Sequence, residues 1–500
     1  MSLATILKEK AIAHSSKIAM IYGNEKLTYG GWQKKSNRLA NALLKLGIKK
    51  GDRVVILLPT SIEFMVCYIG VIKTGAWATP IDVRFSPAEL DFLFQDCQPT
   101  ALISLSPYLE ALAPELSKYK SLKHVISLST PTRSSLLSYQ ELLDSSSPKP
   151  PDYTIVESDI AHLRYSSGTT GRPKAALTTH ATELAGARIG AETMELTEKD
   201  VFVLPLLPPS WFLYMVAYIM YSSGTAVVVP EIGLTPLLET ISRNKGTTFL
   251  NIPPVLTEML NMPEEEANKY NLSSLRVCIV SGMPLRHEVA GQFRARFGIS
   301  PVSFLGYTET ACGPAIQPLD GSGKPGATGK MRPGWEYKIV DESGKALPPN
   351  QVGELVFRSP GVVSGYYNRP QATAESFHDG WFSSGDMGRI DEDGFLFLMG
   401  RKKEIITIAG KEIFPLDIEE ALLANPKIAE VAAAGIPGKS GVGALKLAIV
   451  LKRGAKATRE EIVDFCRRQT ELVPEEIEFR ESLPRTHSGK VQRGALKKNA

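Results

Sequence analysis

Short runs of apolar and β-branched residues alternate with stretches of helical period through the first two thirds of the chain. Val54-Val55-Ile56-Leu57-Leu58 has the unbroken apolar character of a strand buried on both faces. After it, Phe64, Met65, Tyr68, Ile69 and Ile72 recur at helical spacing. Ser61 stands where an N-cap belongs and Gly75 where the helix closes, before a second strand enters at Pro80-Ile81. Further strands are expected at Ala101–Ile103, His124–Ile126, Ala226–Val229 and Val277–Val280. Strand–helix–strand units of this length predict an α/β fold of parallel sheets with helices on both faces. From about Gly353 the texture changes to shorter strands punctuated by Gly and Asp, as in Gly353–Phe357 and Gly394–Phe397. That predicts a smaller antiparallel or barrel-like part near 320–400. A last segment from about Glu404 carries its own helices, Pro415–Leu423 and Thr458–Gln469, with the strand Leu447–Leu451 between them. At roughly one hundred residues it is long enough to fold as a small α+β domain.

Composition narrows the class. Over 500 residues, 43% hydrophobic and 22% charged is the balance of a globular protein, not of a disordered or collagen-like chain. The most apolar stretch, Trp211–Pro230, is broken by Ser222, Ser223, Gly224 and Thr225, and reads as a core helix, a turn and a core strand, not a membrane span. A net charge of +4 is too small at this length to suggest a nucleic-acid partner. The charge is uneven, however: the last hundred residues hold 19 Lys and Arg against 14 Asp and Glu, a basic excess that an anionic partner would meet. Cys67, Cys97, Cys278, Cys312 and Cys466 are odd in number, scattered and without C-x-x-C spacing, which fits a reducing, cytoplasmic setting. Lys8, Glu9 and Lys10 occupy the place where a secretory signal would be apolar. The segment Asp144–Pro151 is a loop or linker by its Ser and Pro content.

The chemistry gathers in a few short motifs. Tyr165-Ser166-Ser167-Gly168-Thr169-Thr170-Gly171-Arg172-Pro173-Lys174 is flexible and rich in donors, the composition that wraps N–H and O–H groups around phosphate oxygens. It is not a P-loop, because Lys174 is preceded by Pro and followed by Ala. The loop resembles the signature of the adenylate-forming superfamily of acyl- and aryl-CoA ligases, adenylation domains and beetle luciferases. Other segments resemble that family's motifs in its order: Leu305-Gly306-Tyr307-Thr308-Glu309, Gly365-Tyr366-Tyr367-Asn368-Arg369-Pro370, Trp381–Asp386, Gly400–Glu404 with Gly410, and Pro484–Lys490.

The resemblance implies an AMP-forming carboxylate–CoA ligase that uses ATP, Mg²⁺ and coenzyme A. Its implied domains are a large N-terminal one over 1–402 and a mobile C-terminal one over 403–500, hinged at Lys403. Lys490, Thr308 and Glu309 take catalytic positions, with Glu309 also at the metal. Ser166, Ser167, Gly168, Thr169, Thr170, Gly171 and Lys174 meet phosphate. Gly282, Met283, Leu305, Tyr307, Asp386 and Arg401 border the nucleotide, with Leu305 in the adenine-facing position and Tyr307 the weaker candidate for it. Ser210, Trp211, Phe212, Ser281, Gly282 and Gly306 line the acid's pocket, and Gly410 lies on the CoA path. Two alternatives share the motifs: a stand-alone ligase loading a carrier protein, and a nucleotide-binding relative without turnover. A homodimer is compatible with all of these.

The chain also departs from the family pattern. Leu207-Pro208 stands where many relatives carry Phe-His, leaving Trp211 or Phe212 to close the pocket, and Thr407 and Glu412 stand where many plant-type ligases have Lys and Gln. The stretch Leu204–Trp211 has no acid to pair with an α-ammonium group, so the substrate is expected to bring none. No Arg or Lys occurs in Trp211–Tyr214, Val280–Met283 or Ala311–Gly313, which points to an uncharged fatty, cyclic or aromatic tail.

Overall fold

The computed structural model describes residues 1–130, 133–166, 173–282, 285–438, 443–486 and 490–497. Arg53–Leu57 is the expected buried strand, and every residue of the helix Ile62–Ile72 except Glu63 is buried. A helix apolar on all sides has to be enclosed. Ser61 caps it, its Oγ accepting from the Phe64 N–H at 3.1 Å, and Gly75 turns the chain at a φ of +75°. The next strand, Trp77–Pro80, starts earlier than the sequence suggested, because Trp77 already pairs opposite Arg53.

These strands belong to a seven-stranded sheet in the order Leu137–Ser138, His124–Ser127, Ala101–Ser104, Arg53–Leu57, Trp77–Pro80, Ile160–Tyr165, Ala175–Thr179. All neighbours are parallel except the last pair. A fourteen-stranded sheet holds the parallel strands Thr225–Val228, Val201–Leu204, Thr248–Asn251, Val277–Val280 and Pro301–Leu305. Beyond Pro301–Leu305 the pairing turns antiparallel, through Ala315–Ile316 and Gly329–Met331 to Phe395–Arg401, Trp381–Ile390, Gly353–Arg358 and Glu336–Val340. The β-rich part is therefore continuous with the parallel sheet. The switch falls at Leu305, the carboxyl end of the last parallel strand and the kind of place where open α/β sheets bind ligands.

The apolar stretch after Trp211 forms the helix Pro209–Ser222, a left-handed turn at Ser223 and the strand Thr225–Val228. Among the described residues no helix is long and apolar enough to cross a membrane. The Ser- and Pro-rich segment after Asp144 is pinned to the helix Tyr29–Lys45: Arg38 donates to the carbonyls of Leu143 and Ser146, Asn37 to that of Pro148, and Asn41 to those of Ser147 and Lys149. It is a fixed strap. All five cysteines are free and buried.

After Arg401 come a single turn at Lys402–Glu404, the hairpin Ile406–Ile408 with Lys411–Ile413, and a sheet of Ile428–Pro437, Gly443–Leu451 and Glu476–Phe479. The helices Pro415–Leu423 and Arg459–Thr470 cover it, the second capped by Thr458 and Glu461 in a reciprocal box. Ile406, Ile418, Leu422, Leu447 and Ile462 make a core of their own. Several of the basic residues here are held in ion pairs, Lys427 with Glu461, Arg480 with Glu478 and Arg493 with Glu404 and Glu419.

Candidate active site

Strands Ile160–Tyr165 and Ala175–Thr179 form a hairpin whose loop is the Ser/Thr/Gly motif. Its base is clamped from both sides: the Ser166 N–H donates to the Lys174 carbonyl at 2.9 Å, and the Lys174 N–H donates to Ser166 Oγ at 3.1 Å. Ser167, Gly168, Thr169, Thr170 and Gly171 lie outside the described residues, as does Met283. Lys174 reaches over Tyr366, its Nζ 4.9 Å from the ring centroid.

Tyr366 belongs to a motif that attaches to the edge of this sheet, with the Leu177 N–H donating to the Gly365 carbonyl and the Tyr367 N–H to that of Ala175. Gly365 has a φ of +153°, and a Cβ there would stand 2.6 Å from Thr373 Cγ2. Thr373 Oγ1 in turn accepts from the Tyr366 N–H at 3.0 Å, which accounts for a Thr seven residues downstream. The Tyr366 hydroxyl donates to Glu309 Oε1 at 2.6 Å.

Glu309 sits in a turn fixed at several points. The Tyr214 hydroxyl lies between the carbonyl oxygens of Tyr307 and Thr310, at 2.7 and 2.5 Å, and Arg164 Nη1 donates to the Thr310 carbonyl at 3.0 Å. Thr308 occupies the middle of that turn. Arg164 is wholly buried against Tyr214 and paired with buried Glu183 at 2.9 Å. Burial pushes the Glu183 carboxyl up to about 7, against the pull of Arg164.

Asp386 and Arg401 face each other across adjacent strands. Arg401 Nε is 2.8 Å from Asp386 Oδ1, and the Tyr307 hydroxyl donates to Oδ2 at 2.7 Å. The Tyr307 ring packs against Phe357 and Phe382, with centroids at 5.3 and 6.0 Å. It is a support for Asp386, so Leu305, half-buried at the strand's end, is the adenine-facing candidate of the two.

Lys490 joins this group from the far end of the chain. Its backbone is held by Thr486, whose N–H donates to the Lys490 carbonyl at 2.8 Å and whose Oγ1 accepts from the Lys490 N–H at 3.2 Å. Burial, and then the charge of Arg401, lower the Lys490 pKa, while Asp386, Glu309 and Glu404 oppose them. The same acids hold Arg401 above its ordinary value despite burial. Two cations and two carboxylates from residues 309, 386, 401 and 490 thus act on one another, Asp386 buried and the other three half-buried. Glu309 is a single carboxylate with one oxygen on Tyr366, and the described residues hold no cluster of three metal-ligating side chains. That donor set suits Mg²⁺, which keeps waters and takes substrate phosphates as its other ligands.

On the acyl side, Trp211 lies over Gly282: a Cβ on that glycine, whose φ is +87°, would stand 3.0 Å from Trp211 Cη2. Ser281 Oγ donates to the Phe304 carbonyl at 3.0 Å, and Gly306 leaves space for the Phe304 ring. Ser210 is in the helix's first turn. Phe212 is wholly buried, edge-on to Phe64 at 5.1 Å, which leaves Trp211 as the gate candidate of the two. Lys403 is exposed in the turn after Arg401, and Gly410 follows Ala409 at the left-handed tip of the hairpin. Sequence reasoning did not find the Tyr366 contact, the Tyr214 brace or the Arg164–Glu183 pair. An Arg in the short strand Ile160–Tyr165, two positions after His162, was the one available signal for the last.

The profile described as AMP-binding enzyme matches residues 7–367, and that described as AMP-binding enzyme C-terminal domain matches 417–490. A long-chain-fatty-acid–CoA ligase of Bacillus subtilis is 30% identical over 99% of this chain and 94% of its own. A sulfoacetate–CoA ligase of Cupriavidus necator is 30% identical over 95% and 92%. Among solved structures, an anthranilate CoA ligase in complex with anthranoyl-AMP superimposes with a TM-score of 0.90 at 26% identity, over 99% of this chain and 96% of that one.

Proposed function

The chain belongs to the AMP-binding enzyme family and is an AMP-forming acid–thiol ligase with ATP and CoA as co-substrates, and on that premise we propose how its residues divide the work and which acid they take. The acid's carboxylate oxygen attacks the α-phosphorus of ATP and pyrophosphate leaves. The CoA thiolate then attacks the acyl carbon of the adenylate and AMP leaves. Both reactants of the first step are anions, so oriented positive charge dominates its catalysis.

Lys490 bridges the carboxylate and α-phosphate oxygens, Asp386 and Arg401 hold the ribose, and Ser166–Lys174 receives the phosphates. Mg²⁺, held through Glu309, offsets triphosphate charge when bound. What supports this reading is the pairing of Asp386 with Arg401 at 2.8 Å and with Tyr307 at 2.7 Å, close enough to Glu309 and Lys490 for their charges to act on one another, from motifs up to 181 positions apart in sequence. Residues 1–402 and 403–500 act as two domains, and rotation about Lys403 withdraws Lys490 and brings in the hairpin tip at Gly410 for the thiol step. The absence of an acid along Leu204–Trp211 supports a fatty, cyclic or aromatic carboxylic acid without an ammonium group. Family membership alone does not select among acids, since the named relatives take substrates as different as a long-chain fatty acid and sulfoacetate.

Pyrophosphate release screened across fatty, branched, cyclic and aromatic acids, with and without CoA, tests the proposal. Release with at least one such acid, and thioester only when CoA is present, is expected. Stimulation by a carrier protein but not by CoA would overturn the assignment of the acceptor.

A further inference from the structure

Next to the acyl side, two buried side chains have donors with no acceptor among the described residues. Arg332 is 2% exposed, yet its Nε, Nη1 and Nη2 have no hydrogen-bond acceptor among the described residues. The wholly buried hydroxyl of Tyr218 is without a partner among the described residues in the same way. Arg332 and Tyr218 are close enough for the charge of one to act on the other, and the Cys312 thiol beside them feels the Arg332 charge and takes a hydrogen bond from Trp335. The contact that offsets the Arg332 charge is the Phe304 ring, 5.1 Å from Cζ to centroid. Glu183, whose charge also reaches Tyr218, gives Oε2 to Arg164 at 2.9 Å, while its Oε1 has no hydrogen-bond partner among the described residues. An unpaired guanidinium out of water costs several kcal/mol, far more than one aromatic face returns.

The group continues the acyl side of the site. Trp211, Tyr214 and Tyr218 follow one another at three- and four-residue steps along one face of the helix Pro209–Ser222, and Trp211 already covers Gly282. Phe304 connects the two ends, its carbonyl on Ser281 Oγ, its ring against Tyr214 at 6.3 Å and the Arg332 guanidinium on its face. The Arg332 N–H donates to the carbonyl of Pro314, next to the Ala311–Gly313 segment. Arg332 lies outside Trp211–Tyr214, Val280–Met283 and Ala311–Gly313, the segments that hold no cation.

Donors without acceptors call for an oxygen acceptor. We propose that Arg332, with Tyr218, receives an oxygen-bearing group at the far end of the acid's tail, so that acids carrying a distal oxo group or second carboxylate are preferred to plain hydrocarbon acids. The proposal rests on the ligase reading above and refines its substrate class. A carboxylate would take the guanidinium fork in two parallel bonds, and an oxo group would take one.

The test compares plain, ω-oxo and ω-carboxy acids of equal length as substrates, by pyrophosphate release, in the wild type, Arg332→Met and Tyr218→Phe. The wild type is expected to favour an oxygenated acid by about tenfold or more in kcat/KM, since a site built to bond a polar group penalises an analogue lacking it. Arg332→Met should level that ratio, chiefly through KM, and Tyr218→Phe should reduce it. Which oxygenated arm leads separates the oxo from the carboxylate class. Calorimetric binding of the same acids without turnover reads the same preference, so absence of pyrophosphate release with every acid would sink the ligase reading alone. A wild type that binds and turns over plain acids equally well, or a ratio that survives both substitutions, overturns the proposal and leaves the donors to solvent.

Discussion

Tyr307 donates its hydroxyl to Asp386 Oδ2 at 2.7 Å, while Arg401 holds Oδ1 at 2.8 Å. The carboxylate proposed to meet the ribose is therefore aimed before any nucleotide arrives. Tyr307→Phe removes one neutral donor to a charged acceptor, worth about 1.5–3 kcal/mol. ATP affinity, measured by calorimetry, should fall by at least tenfold while Phe357 and Phe382 keep the ring in place. Unchanged affinity would mean that Arg401 alone orients Asp386.

Tyr366 stands in the same relation to Glu309. Burial and the Glu309 charge raise the Tyr366 phenol above its ordinary pKa, so it remains a donor throughout the working pH range. In Tyr366→Phe the carboxylate loses its orientation. The Mg²⁺ concentration that half-saturates pyrophosphate release should rise several-fold, with little change in acid KM.

The Lys490 pKa sets the alkaline side of adenylation. Its bridging role requires the ammonium form, and burial followed by the Arg401 charge makes that form easier to lose than in a solvated lysine. Adenylate formation should thus decline with rising pH before a solvated lysine would deprotonate. Arg401→Gln removes one of the two lowering causes, so the alkaline limb should move to higher pH even as the rate falls. A limb that stays in place would assign the titration to another group.

Arg164 and Glu183 brace the turn below Glu309 without facing solvent. Glu183→Ala strands a buried guanidinium and should cost about 3–5 kcal/mol, seen as a lower melting temperature. Arg164→Met with Glu183→Leu should recover most of that stability. It should not recover ATP affinity, because the Thr310 carbonyl has lost its Arg164 donor.

Local pattern made much of the fold legible. Val54–Leu58, the Ser61 cap, Val277–Val280 and Pro415–Leu423 follow from burial period and end signals, which act over a few residues. The continuity of the antiparallel strands with the parallel sheet does not, because it depends on pairings such as Phe304 with Ile316, set by how the whole sheet closes over its core. The site divides in the same way. Asp386, Arg401, Glu309 and Lys490 stand in motifs that a reader can recognise, whereas Tyr214 and Arg332 have no local signature. Each is an ordinary residue in its own segment, and what it does is decided by partners 93 or more positions away or, for Arg332, by a guanidinium with no hydrogen-bond acceptor among the described residues.

The central claim is that Lys490 serves the adenylating half-reaction and is withdrawn for the other. The most direct test measures both halves separately in Lys490→Ala. Pyrophosphate release from ATP and acid should fall by about 10²-fold or more, equivalent to roughly 3 kcal/mol of transition-state stabilisation. Thioester formation from supplied acyl-adenylate and CoA should change far less. Equal losses in the two half-reactions would contradict the account.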